Sequence, residues 1–272
     1  MKGSDIRKML TDDGIDLDAT KEAMERANAE AIYAERPVMT EFSWVKETAR
    51  REAVLSDYHN ARRQLDRFVM ECVRPVMTKK RVLSAEERIG LNPKSKYLKK
   101  MEVFATTEFA TMYDESVGEV AIDVAIKRTK QGIDADFDAA MEMLAGLRYT
   151  WLEILNTKAN FGLKCRDLLT GDECFLIDQS LSCTTDLKGC AFATGILPVG
   201  ECYMTTGFGL PVPTKECATI LDAMLASLDI SSVRPIFLSK KETARFAATS
   251  IGSLLGAGMG EQMDMNCQYV TQ

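Results

Sequence analysis

The side chains that could do chemistry in this chain are few in kind and widely scattered. There is one histidine, His59. A His-ligated catalytic zinc, a Ser-His-Asp triad or a Cys-His pair would each have to recruit it. It falls beside Tyr58 in a helical stretch with no cysteine or serine motif nearby, and reads as a solvated or helix-packed residue. Ser43-Trp-Val-Lys46 has the Ser-x-x-Lys spacing in which a lysine can activate a serine, but none of its companion motifs follows. Asp12 to Asp18 and Gly132-Ile-Asp-Ala-Asp-Phe-Asp138 place carboxylates at alternate positions, as a calcium loop does. Both lack the glycine and the closing glutamate where such a loop needs them. Gly256-Ala-Gly-Met-Gly260 ends a helix, whereas a phosphate loop needs a strand before its glycines and a helix after them. No catalytic residue is expected from these signals.

Five of the eight cysteines, Cys165, Cys174, Cys183, Cys190 and Cys202, fall in one stretch with gaps of nine, nine, seven and twelve residues. Zinc sites present thiolates in close pairs because tight turns must aim them at one ion, and no Cys-x-x-Cys occurs. These thiols are expected to bind no metal, form no disulfide and act as small hydrophobes facing a β core. No cofactor is implied.

The electrostatic anomaly is the segment 74–100. Arg74, Lys79, Lys80, Arg81, Arg88, Lys94, Lys96, Lys99 and Lys100 face only Glu86 and Glu87, in a chain whose formal charge is −6. Such a segment can track phosphates, and Lys79, Lys80, Arg81, Lys94, Lys96, Lys99 and Lys100 are the candidate nucleic-acid contacts. It can equally dock on the acidic stretch 102–142, or on an acidic protein partner.

These residues must be positioned by regular elements, and the patterning of the 272 residues supplies them. Val54, Tyr58, Ala61, Leu65, Phe68 and Cys72 recur at spacings of four, three, four, three and four, predicting a long helix over about 40–73. Its apolar stripe must be covered, either inside a bundle or in a dimer. An Ala- and Glu-rich helix is expected over 21–34, a short helix from about Ser84 behind a Ser84-x-x-Glu87 capping box, and further helices over 101–150. From 151 to 213 the composition changes. Five short β-capable runs at 151–157, 163–167, 174–178, 190–198 and 201–205 are separated by Asn160-Phe161-Gly162, Thr170-Gly171-Asp172, Lys188-Gly189 and Val199-Gly200. They predict an antiparallel barrel or sandwich with Trp151, Phe161, Phe175, Phe192, Tyr203 and Phe208 as its core. Its four basic residues against seven acidic ones argue against an oligonucleotide-binding barrel. After it, Thr214 can cap a helix through Leu228, and Ser239-Lys-Lys-Glu242 is a capping box for another ending near Leu255.

Cys165-Arg-Asp-Leu-Leu-Thr-Gly-Asp-Glu173, Ser180-Leu-Ser182 and Gly195-Ile-Leu-Pro-Val-Gly200 together resemble a small β module of uncharacterised bacterial proteins that often carry a Cys-rich SEC-C-type zinc knuckle. The likeness covers residues 163–213. The knuckle itself is absent here, and the resemblance implies a bacterial cytosolic β module without implying an activity.

The fold class is therefore α+β, mainly α: a helical region over 1–150 with its basic connector, a small β domain over 151–213, and C-terminal helices with a glycine-rich tail over 214–272. The polar N-terminus shows no secretory leader and no run is long enough to span a bilayer, so a cytoplasmic protein with reduced thiols is expected. The functional expectation is a non-enzymatic interaction or regulatory protein that contacts protein partners, with a homodimer as one form, through its helices. The alternatives are weak nucleic-acid association through 74–100 and an enzyme without a local motif.

Overall fold

The computed structural model describes residues 17–34, 48–92, 99–132, 137–185, 187–213 and 217–259. The Ser43-Lys46 pair, residues 12–16 of the first carboxylate loop, most of the second carboxylate loop, Lys94, Lys96, Thr214 and residues 260–272 of the tail lie outside these residues.

Among the described residues six α-helices precede the strands: α1 (Leu17–Ala34), α2 (Thr48–Phe68), α3 (Lys79–Arg88), α4 (Lys100–Met112), α5 (Ala121–Gly132) and α6 (Asp138–Ala145). The long helix is present from Thr48, and the expected 40–47 portion falls outside the described residues. Its last turns are not α: the chain widens into a π turn over Val69–Val73 and tightens into a 3-10 turn over Arg74–Val76, where Pro75 can offer no N–H to continue the helix. The helix that follows is capped by Thr78, whose side chain accepts from Arg81 N at 3.3 Å. Ser84 therefore lies mid-helix, bonded to Ser116, and the capping box expected at Ser84 does not form. The one at Ser239 does: its hydroxyl accepts from Glu242 N and the Glu242 carboxylate accepts from Ser239 N.

The strands are β1 (Arg148–Lys158), β2 (Gly162–Asp167), β3 (Glu173–Ile177), β4 (Ala191–Val199) and β5 (Cys202–Val212), with the single-turn helix α7 (Gln179–Ser182) between β3 and β4. They close into a barrel in the order β1-β2-β3-β5-β4. The purely antiparallel expectation needs one correction: β3 and β5 pair parallel, Leu176 with Tyr203 and Ile177 with Met204. Closure requires it, because β5 returns beside β4 by a two-residue turn at Gly200-Glu201 and meets β3 from the far side. This order, with its lone parallel pair and the helix after β3, is that of an OB-type barrel. After the strands the described residues form two helices, α8 (Cys217–Ser227) and α9 (Lys240–Gly256).

Alternation along the strands sorts three cores. Leu152, Ile154, Leu163, Cys165, Cys174, Leu176, Phe192, Ile196 and Tyr203 fill the barrel interior. The outward residues of β1, β4 and β5, among them Trp151, Ala193, Met204 and Leu210, pack directly into the helical core with Leu65, Phe68, Phe109 and Phe246. The barrel and the helices thus share one continuous core. All six aromatics expected in the β core are buried, but only Phe192 and Tyr203 lie in the barrel interior, while Trp151 and Phe208 join the helical core and Phe161 and Phe175 the cluster outside the barrel. Phe161, Phe175, Ile177 and Cys202 form a third cluster on the outside of β2, β3 and the start of β5, covered by Val54, Leu55 and Tyr58 of α2. The stripe of α2 is accordingly satisfied within the chain: Ala61, Leu65 and Phe68 are buried and Val54, Tyr58 and Cys72 lie against the cores.

Candidate functional site

The basic segment divides on folding. Lys79 and Lys80 are exposed in the first turn of α3, but Arg81 turns inward and donates from Nη1 to the Glu119 carbonyl at 2.7 Å. It is buried and ties α3 to the loop before α5. Lys99 and Lys100 open α4, exposed, with the Lys100 ammonium 5.9 Å from the Phe104 ring. Cations at a helix N-terminus face the positive end of its dipole, an arrangement that disfavours the helix. The first turn of α3 carries no acid to offset them, whereas α4 has Glu102. Beside these cations lie Leu83, Val103 and Phe104, at 36%, 46% and 50% exposure, on two helices that pack together. The charges are visible in the sequence and the apolar surface is not, because the spacing of Phe104 and Phe109 does not tell which side of the helix is covered. Ala105 takes the inward position instead and leaves Phe104 outside.

One end of the barrel interior is polar. Asp167 closes β2 and organises the next turn, its Oδ1 accepting from Thr150 Oγ1 at 2.6 Å, Leu169 N at 2.9 Å and Thr170 N at 3.3 Å. Its Oδ2 lies 2.8 Å from Arg148 Nη1. The Asp167-to-Asp172 motif is thus a turn clamped to a half-buried arginine. Burial, the largest influence, works against the Arg148 charge, but Asp167 together with Tyr203, Tyr33 and Cys174 outweighs it, so the guanidinium titrates above its ordinary range. Its plane lies 4.9 Å from the Tyr33 ring and 5.5 Å from Tyr203. Burial, then the Asp172 carboxylate that accepts its hydroxyl, pushes Tyr33 above the ordinary phenol range.

A second polar group sits where α2, α4 and the β4–β5 bulge meet. Glu108, on α4, is buried, and desolvation lifts its carboxyl to about 7 against the opposing pull of Thr206 and Arg62. Among the described residues its Oε1 and the Tyr113 hydroxyl have no hydrogen-bond partner. Arg62 donates to the Thr205 carbonyl at 2.6 Å. Gly195 is required here: a Cβ would lie 2.2 Å from the Tyr113 hydroxyl and 2.8 Å from the Thr206 methyl. Neither Glu108 nor Arg148 carries a local sequence signal, since each acquires its environment from elements far apart in the chain.

The remaining candidates are inert or paired. Burial first, then its acidic neighbour, lifts the Cys174 thiol to about 12 through Asp167 and the Cys202 thiol to about 12 through Glu201. Among the described residues no three His, Cys, Asp or Glu side chains converge as a metal site would need. His59 is exposed, its ring 5.3 Å from Tyr58. No helix among them is long and apolar enough to cross a membrane. A cleft of about 890 Å3 runs between α1, α5 and the start of α9, lined by carboxylates and lysines that largely pair with each other. In comparisons with known proteins no family model, curated protein or solved structure matches this chain.

Proposed function

We propose that this protein is a non-enzymatic interaction module of the cytosol, and that its α3–α4 pair docks an acidic, apolar-faced segment of a partner protein. The observation that carries the reading is the combination on that pair of exposed Leu83, Val103 and Phe104 with Lys79, Lys80 and Lys100. Exposed apolar residues with lysines beside them suit a protein partner that offers carboxylates around its own apolar contacts. Cations placed where they disfavour their own helix are better explained by binding than by stability. Free thiols at Cys72, Cys165, Cys174, Cys183, Cys190, Cys202 and Cys217 are consistent with a reducing compartment.

An oligonucleotide reading has less support. The strand 2–3 face that OB-type barrels offer to ligands carries Phe161 and Phe175 here, and α2 lies over them, with the Arg51 guanidinium 5.1 Å from the Phe161 ring. The test is capture from nuclease-treated native extract with the parent and with Val103→Asp/Phe104→Asp, both folded by melting curve. The expected result is a defined set of proteins held by the parent and lost by the variant. An identical set on both refutes the α3–α4 surface, and capture that nuclease abolishes replaces this reading with nucleic-acid association.

A further inference from the structure

Helix α1 is attached to the body almost wholly by polar contacts. None of its residues from 18 to 34 is buried. Arg26 donates from Nε and Nη2 to the two oxygens of Glu242, 2.8 Å each. Lys241 Nζ donates to Glu22 Oε1 at 2.7 Å, and the backbone N–H of Lys240 donates to Glu25 Oε2 at 3.0 Å, so an α1 carboxylate caps the N-terminus of α9. Two turns further on, Tyr33 donates to Asp172, lies 3.4 Å from Thr170 Oγ1 and packs 5.4 Å from the Phe237 ring, over Arg148. Residues 22, 25, 26, 29 and 33 form one helical face.

The seat under that face is independently ordered. Lys240 and Lys241 begin a helix whose capping box closes without α1, Asp172 belongs to the turn that Asp167 clamps, and Arg148 is held by Asp167 from inside the barrel. Burial favours protonation of Glu242, but hydrogen bonds from Arg26 and Ser239 outweigh it and keep the carboxyl below its usual range. Beside α1 the cleft of about 890 Å3 stays open, so the helix does not fill its groove.

We infer that this seat is a docking site for an acidic amphipathic helix of a partner protein, and that α1 is its tethered occupant, displaced when that helix arrives. The chemistry of the partner is the chemistry of α1: carboxylates one turn apart for Lys241 and the start of α9, an arginine for Glu242, and a tyrosine two turns later for Asp172 and Arg148. The inference is independent of the α3–α4 surface. Because α1 competes from the same chain, a free helix binds with an affinity reduced by the fraction of seats that are open.

A labelled synthetic peptide of residues 17–34, titrated into full-length chains, tests it. Arg26→Glu/Tyr33→Ala removes the grip of the tethered helix and leaves every seat residue intact. The peptide should bind this variant about tenfold or more tightly than the parent. Binding should weaken as salt screens the ion pairs and fall again when Lys241→Glu is added. Should the double variant not melt cooperatively, Tyr33→Ala alone gives the same comparison. No binding to a folded, loosened variant, equal binding to variant and parent, or indifference to Lys241→Glu each overturns the inference. In the parent, α1 amides should exchange with solvent faster than those of α9, and equal protection overturns it as well.

Discussion

Replacing Glu108 with glutamine should change how stability depends on pH more than it changes the structure. The carboxyl titrates at about 7 in the folded chain against 4.5 for the unfolded one, because burial penalises its charge. Between those values the folded state holds a proton that the unfolded state has released. The contribution of Glu108 is therefore fully present below pH 4.5, is lost as pH rises towards 7, and stays lost above it. At roughly 1.4 kcal/mol per unit the whole loss is on the order of 3 kcal/mol. Glutamine keeps the shape and can keep the Thr206 hydrogen bond, but does not ionise. Urea denaturation from pH 5 to 8.5 should thus show the parent losing stability relative to Glu108→Gln across pH 5–7, the two differing least at pH 5. At pH 8 the variant should melt higher by an amount on the order of 5–10 °C. Taking the difference between the chains cancels all other titrations. Parallel pH profiles for parent and variant would show that the carboxylate is solvated, and the account of the α2–α4–barrel seam would fail.

Leu65→Asp should destabilise the monomer by more than about 3 kcal/mol at every protein concentration, since Leu65 is 1% exposed inside the chain; a concentration-dependent loss on sedimentation and melting would instead place the α2 stripe in a dimer. Asp167→Ala strands the Arg148 charge and uncaps the turn after β2, and should cost about 3–5 kcal/mol by denaturant titration, far more than Glu173→Ala on the exposed face. Gly195→Ala should cost about 1–3 kcal/mol through the close approach of Tyr113 and Thr206, and Tyr113→Phe, which deletes an unpartnered hydroxyl, should restore part of it. A non-additive cycle checks this pair, and strict additivity refutes the contact.

What the sequence made legible was local. Each strand begins within three residues of an expected β-capable run, although β5 continues to Val212, past the expected end at 205; Asn160 and Gly171, which mark two of the turns, do adopt positive φ. Ser239 and Glu242 are three residues apart and form their box; Ser84 and Glu87 share the spacing but lie inside a helix that Thr78 had already capped. The stripe of α2 was readable because a helix repeats its apolar positions, although the widening at Val69–Val73 leaves no mark in that repeat. The parallel β3–β5 pair and the Arg148–Asp167 clamp were not readable, because each joins segments through barrel closure rather than through spacing. At the candidate surface the charges were visible by composition. That Arg81 turns inward while Phe104 stays outside depends on how α3 and α4 rotate against their neighbours, which no local pattern records.

The shared core of barrel and helices has a consequence for how the chain comes to be made. Leu65 and Phe68 are completed by Met204 and Leu210 of β5 and by Phe246 and Ile251 of α9, so the early helices leave the ribosome long before their cover exists. At ordinary synthesis rates the wait for the segment around residue 251 is roughly ten to forty seconds. Over that interval α2 presents an adhesive stripe covered only in part, by residues such as Phe109 and Phe137, and chains halted before α9 should cling to chaperones or to one another instead of surviving as a smaller folded domain.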